Sequence, residues 1–170
     1  MLLADAPRRA VISDCGKYRY VLTRGPIGEG PPAIWGLANP STADADIDDP
    51  TVRRVWGFTQ RLGHRWFILV NPMAYRATKP EALLDIADPV GPENEAGVRW
   101  LAHKYPFATY VVGWGTAIKP PLLKHAFSFT NWLTAHGATL HCLGRTSAGQ
   151  PRHPLMLAGD TPLEVFYVPK

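Results

Sequence analysis

Cysteine is scarce in this chain: Cys15 and Cys142 are the only two in 170 residues. They lie far apart and neither has a CxxC partner, which argues against a thiolate zinc site or a disulfide framework and leaves two reduced thiols. No apolar run is long enough to cross a bilayer, so no membrane partner is expected. The N-terminal stretch Met1 to Arg9 places its charges after a very short apolar segment, unlike a secretory leader, and a cytosolic, cytoplasmic protein is expected. His64, His103, His125, His136 and His141 show no ligand spacing, and the acidic stretch Asp44, Asp46, Asp48, Asp49 lacks the Gly and terminal Glu of a calcium loop. No metal and no cofactor are therefore expected, and the acidic stretch reads as a solvated turn with a helix cap. Repeats and low-complexity tracts are missing too. One domain over residues 1–170, monomeric, is the simplest organisation, and its core is large enough to need no metal. A net charge of +4 permits a polyanionic partner without requiring one.

What the chain does contain is a regular alternation of apolar runs and helical patterns. Four runs read as strands: Ala33–Leu37, Arg65–Asn71, Thr109–Gly113 and Thr139–Leu143. Between them lie three helical patterns. Asp49 can cap a helix that begins at Pro50, buries Val52, Val55, Trp56, Thr59 and Leu62, and stops at Gly63. A second starts at Pro92-Glu93 and runs toward Tyr105, with Ala96, Trp100 and Leu101 facing inward. A third follows Pro120-Pro121, carries Leu122, Leu123, Ala126, Phe127, Phe129 and Leu133 inward, and closes at Gly137. Such an alternation predicts an α/β protein, a three-layer αβα sandwich around a four-stranded parallel sheet of order 2-1-3-4. Tyr18 to Leu22 alternates with period two and predicts an edge strand or hairpin ahead of the main sheet. Trp35, Trp100 and Trp132 fall within apolar patterns and are expected in the core.

The strand ends carry the chemistry-bearing residues. The first run stops at Asn39-Pro40-Ser41, the second at Asn71-Pro72, the third at Gly113-Trp114-Gly115, and the fourth leads to Arg152-His153-Pro154-Leu155. In an open α/β sheet, ligands bind beyond the carboxyl ends of the strands. Each residue also has a plainer reading: Asn39 and Asn71 before proline suit Asx turns, and a histidine in a proline-rich loop suits the surface.

Asn39-Pro40-Ser41 with Asp49-Pro50-Thr51, Val70-Asn71-Pro72 with Tyr75-Arg76-Ala77-Thr78, Asp88-Pro89-Val90-Gly91-Pro92-Glu93-Asn94, and Pro151-Arg152-His153-Pro154-Leu155 together resemble a family of bacterial and phage domains of unknown function. The likeness runs from about Cys15 to Pro162. More distantly, the order of elements is similar to that of the uracil-DNA glycosylase superfamily. That resemblance implies a hydrolase that flips a damaged or modified base out of duplex or single-stranded DNA and cleaves its N-glycosidic bond, in DNA repair or phage defence. It implies that Asn39 positions the attacking water, Asn71 reads the base edge, and His153 stabilises the departing base, with Leu155, Met156 or Leu157 as a wedge. Three positions differ from the superfamily pattern: the usual glycine before the first motif is shifted or lost, with Gly36 one residue too early, Ser41 replaces the last glycine, and Leu155 stands where serine is usual.

Cleavage leaves negative charge on the base while the sugar gains oxocarbenium character, so a donor aimed at the base carbonyl lowers the barrier. A flipped base also needs edge recognition and a stacking ring. Trp56, Phe58, Trp114 and Tyr75 are the rings available, with Phe58 and Tyr75 the leading candidates. Arg53, Arg76, Lys119, Arg145 and Arg152 lie near the predicted strand ends and would contact phosphates. An alternative from another class is a non-catalytic module that binds a nucleotide, a modified base or nucleic acid on the same fold. A third is a nucleoside or nucleotide hydrolase that acts only on monomers.

Overall fold

The computed structural model describes residues 1–168. Its strands are β1 (Arg8–Ile12), β2 (Arg19–Arg24), β3 (Ala33–Gly36), β4 (Phe67–Val70), β5 (Thr109–Val112), β6 (Leu140–Cys142) and β7 (Glu164–Val165). The longer helices are α1 (Pro50–Arg61), α2 (Asn94–Lys104) and α3 (Leu123–Thr134).

All seven strands form one mixed sheet of order β1-β2-β4-β3-β5-β6-β7. This corrects the expectation of a four-stranded parallel sheet. The inner strands β4, β3, β5 and β6 do pair in parallel, in the sequence order 2-1-3-4. Antiparallel strands extend the sheet at both sides: β2 pairs with β4 and β1 with β2, while β7 pairs with β6. The segment read as a preface is thus part of the main sheet. Its β2 is buried at five of six positions, because Leu22, Thr23 and Arg24 pair with Leu69, Ile68 and Phe67 and β1 covers its other side.

The inner strands are apolar throughout because both faces are covered. Ala33, Trp35, Phe67, Leu69 and Val111 pack toward α1, joined there by Val52, Val55, Trp56 and Phe58. Ile34, Ile68, Val70, Tyr110 and Val112 pack on the opposite face with Val98 and Leu101 of α2 and Phe129 and Leu133 of α3. Alternation along each strand therefore splits the core into two layers. Gly36 ends β3 without a side chain for a reason of space: a Cβ there would sit 2.5 Å from Cε1 of Phe129.

Helix α1 begins as expected, with an Asp49 carboxylate oxygen accepting from the Val52 N–H at 2.8 Å and Pro50 in the first turn. Thr59 is buried because its hydroxyl accepts from Nε1 of Trp35 at 3.0 Å. Helix α2 is rotated from the expected phase. Asn94, Val98, Leu101 and Ala102 face inward, whereas Ala96 is exposed and Trp100 is 55% exposed. Trp100 is therefore not a core residue; its ring lies 4.5 Å beneath the ammonium of Lys104. Helix α3 follows a short turn over Pro120–Leu122 and buries Ala126, Phe129, Thr130, Trp132 and Leu133, leaving Phe127 half-buried.

Three of the four carboxylates of the acidic loop before α1 are engaged or capping. Asp44 accepts from the N–H groups of Asp46 and Ile47, Asp48 pairs with Arg24 at 2.7 Å and Arg8 at 3.0 Å, and Asp49 caps α1.

Candidate active site

Strand order reverses at β3: the path through α1 goes to β4 on one side, and the path through α2 returns to β5 on the other. The loops leaving β3 and β5 diverge there and open a crevice at the carboxyl edge. A cleft of about 310 Å³ occupies it, near the lower end of the ~300–1,000 Å³ range of small-molecule sites. Asn39, Asn71 and His153 all line it, delivered by the segments that follow β3, β4 and β6.

Asn39 donates both amide hydrogens to backbone carbonyls, to Pro40 at 2.9 Å and to Ala77 at 2.8 Å. This fixes the side chain and leaves Oδ1 as an acceptor for a ligand. Asn71 is buried; its Nδ2 donates to the Leu37 carbonyl at 2.8 Å and its Oδ1 accepts from Arg19 at 3.4 Å. One N–H and one lone pair of Asn71 remain to be used. Behind it, Asn94 donates to the Asn71 carbonyl at 2.8 Å and ties the start of α2 to the end of β4.

His153 sits on a loop that packs against the turn after β5. The Gly115 N–H donates to the Pro151 carbonyl at 2.7 Å, Trp114 donates to Gln150 at 2.8 Å, and the Arg152 N–H donates to Gly144 at 2.9 Å. Gly115, at φ 59°, leaves room for the histidine, since a Cβ there would lie 3.1 Å from that of His153. The Leu155 N–H donates to Nδ1 of His153 at 3.2 Å, which places the proton of the neutral ring on Nε2. Burial lowers the pKa of His153 below the ordinary histidine value, with Asp49 opposing the shift.

Two charged residues of the cleft, Asp49 and Arg19, were not assigned to the site from sequence. Asp49 was legible as a helix cap and within the motif Asp49-Pro50-Thr51, but without a site role; it caps through Oδ1 and also lines the cleft. Arg19 was hidden because its strand read as a peripheral hairpin. Since β2 runs antiparallel to β4, its first residue stands beside the carboxyl end of β4, where the Arg19 N–H donates to the Ala74 carbonyl at 2.9 Å. Burial lowers the Arg19 pKa to about 10, with Asp49 the leading charge acting in the opposite direction.

Other expected site residues lie elsewhere. Phe58 is in the α1 core with its ring 6.1 Å from Trp35, so it cannot stack on a ligand. Trp56 and Trp114 are buried as well. Tyr75 packs edge-on against Tyr18 at 5.6 Å and, with Arg76 and Lys17, lines an open groove beside the cleft. Among the described residues no Phe, Tyr or Trp lines the cleft. Arg53 is exposed and donates to the Asp48 carbonyl at 2.9 Å. Lys119 pairs with Glu81 at 3.5 Å, and Arg145 pairs with Glu164 at 3.5 Å while also donating to the Val165 and Tyr167 carbonyls. Arg152 is exposed beside His153. Of the apolar wedge candidates, Leu155 is at the cleft and Met156 is exposed, but Leu157 belongs to the core.

A family model described as protein of unknown function (DUF1643) matches residues 19–155, which include every polar residue of the cleft described above. The chain belongs to that family. The span starts at Arg19 and ends at Leu155, two residues of the cleft wall. Neither a curated protein nor a solved structure matches the chain. No helix among the described residues is long and apolar enough to cross a membrane.

Proposed function

We propose that this protein hydrolyses the N-glycosidic bond of a damaged or modified base that is flipped from DNA into the cleft. The observation that carries this reading is the meeting of Asn39, Asn71 and His153 in one cleft with a carboxylate, Asp49, among them. Asn39 cannot deprotonate water, but its free Oδ1 can orient one. Asp49 supplies negative charge for the oxocarbenium-like sugar and an acceptor for the water proton. His153, proton on Nε2, donates to the base carbonyl as negative charge develops there. The remaining N–H and lone pair of Asn71 suit the edge of a base. Leu155 and Met156, at or near the rim, would occupy the gap left in the stack.

A second reading is a non-catalytic module that binds a nucleotide or modified base in the same cleft; among the described residues no aromatic ring lines the cleft, so a base would lack the usual stacking partner under either reading. The two readings separate in one experiment. The pure protein is incubated with DNA carrying varied modified bases and with the matching mononucleotides, and free base is sought by mass spectrometry. Base released from DNA supports the proposal; base released only from mononucleotides points to a monomer hydrolase. Binding without release points to the module.

A further inference from the structure

Strand β2 carries two buried arginines, and they are treated differently. Arg24, fully buried, forms an ion pair with Asp48 at 2.7 Å and donates to the carbonyls of Thr23, Asp44 and Ile47. Arg19, 2% exposed, forms no ion pair among the described residues. Its guanidinium donates to the Ala43 carbonyl at 2.7 Å and, at 3.4 Å, to Asn71, while its buried Nε has no partner. A buried cation short of an anion and with spare donors is costly to keep, so its partner is expected from outside the protein. Arg19 lines the cleft beside Asn71.

We infer that the cleft holds a subsite for an anionic oxygen of the ligand, bound by the Arg19 guanidinium. Planar guanidinium donors match oxyanions in geometry as well as in charge. The oxygen can come from a phosphoryl group or from the ionised carbonyl of a base, and both place negative charge against the same side chain. Asp49 carries the opposite charge in the same cleft, so a ligand is oriented with its anionic end toward Arg19 and its neutral or cationic part toward Asp49. The subsite holds whether the cleft cleaves its ligand or only binds it.

The test uses the full chain labelled with ¹⁵N at arginine, with the Nε–H resonances of Arg19 and Arg24 followed by NMR. Inorganic phosphate is titrated in one arm, and uracil at neutral and mildly alkaline pH in another, with chloride at matched ionic strength as the control. The expected result is a saturable shift of the Arg19 resonance while that of Arg24, held by Asp48, stays in place. A shift with phosphate identifies a phosphoryl source; a shift with uracil that grows at alkaline pH identifies an ionised base. Arg19→Lys should weaken the bound probe by about ten- to a hundredfold. If Arg19→Lys does not fold, the titration of the unaltered protein decides. No Arg19 shift with either probe, or one that chloride reproduces, overturns the subsite. Failure of base release in the separate assay would overturn the hydrolase proposal and leave this result standing.

Discussion

At the scale of single residues, His153 has the most sharply defined chemistry in the cleft. Its Nδ1 is held by the Leu155 N–H, so Nε2 is the donor, and burial disfavours the charged ring. His153→Ala should lower the single-turnover rate of base release by about 10²–10³, the scale for losing one such donor, with little change in DNA affinity. Protonation would put a hydrogen on Nδ1 against the Leu155 N–H and displace the ring. Activity should therefore fall on the acid side, with a midpoint below the ordinary histidine value of about 6.5. Stability should follow the same sign: the unfolded chain takes up the proton first, so stability declines as pH falls from the unfolded value through the lower folded one. A rate profile whose acid limb lies above that ordinary value would contradict this assignment. Asn39 and Asn71 were legible because each stands just beyond an apolar run, and His153 because its loop follows the fourth run. Arg19 and Asp49 were not, since a cation in an alternating strand and an aspartate before proline each have a sufficient structural explanation. The rings failed for a related reason: Phe58 lies on the inward face of α1, and helical phase there is set by the core.

At the scale of elements, the start of α1 has two tasks that substitution can separate. Asp49→Asn keeps a good capping residue and should change stability little, while removing the charge and lowering the rate of base release. Asp49→Ala should lower that rate and also cost about 1 kcal/mol of stability by loss of the cap. Chemical denaturation and single-turnover kinetics on the same preparations read both effects. Equal rates for Asp49→Asn and the unaltered protein would remove Asp49 from the chemistry. The end of β3 tests the sheet-to-helix contact. Gly36→Ala would drive a methyl into Phe129 and should destabilise by about 1–3 kcal/mol. A neutral substitution there would mean that α3 packs farther from β3 than described. Elements of the parallel core were readable because runs such as Phe67–Val70 are apolar at every position. The antiparallel additions were harder. β7 is two residues long and exposed, and the burial of β2 depends on docking to β4, which no local pattern reports. Trp100 shows the same limit in α2, where hydrophobicity alone suggested the wrong face.

At the scale of the whole molecule, the charge bears on how DNA would be held. The net charge is +4, and two of the expected phosphate contacts, Lys119 and Arg145, already have acidic neighbours. Exposed pairs of this kind are weak, so a polyanion can displace them. DNA binding should be strongly salt-dependent, and weak where no base is flipped. Arg76→Ala and Arg152→Ala should each weaken binding across sequences and flatten the salt slope, as fluorescence anisotropy over a salt series would show. Salt-insensitive binding would point instead to a small ligand.

The most direct measurement for the cleft as an N-glycosidic active site is single-turnover release of free base from modified DNA. The unaltered protein is compared with Asn39→Ala and Asn71→Ala under the same conditions. The expected result is free base with the unaltered protein, none with Asn39→Ala despite retained binding, and relaxed or lost choice of base with Asn71→Ala. No free base from any DNA, or equal release by all three proteins, would contradict it.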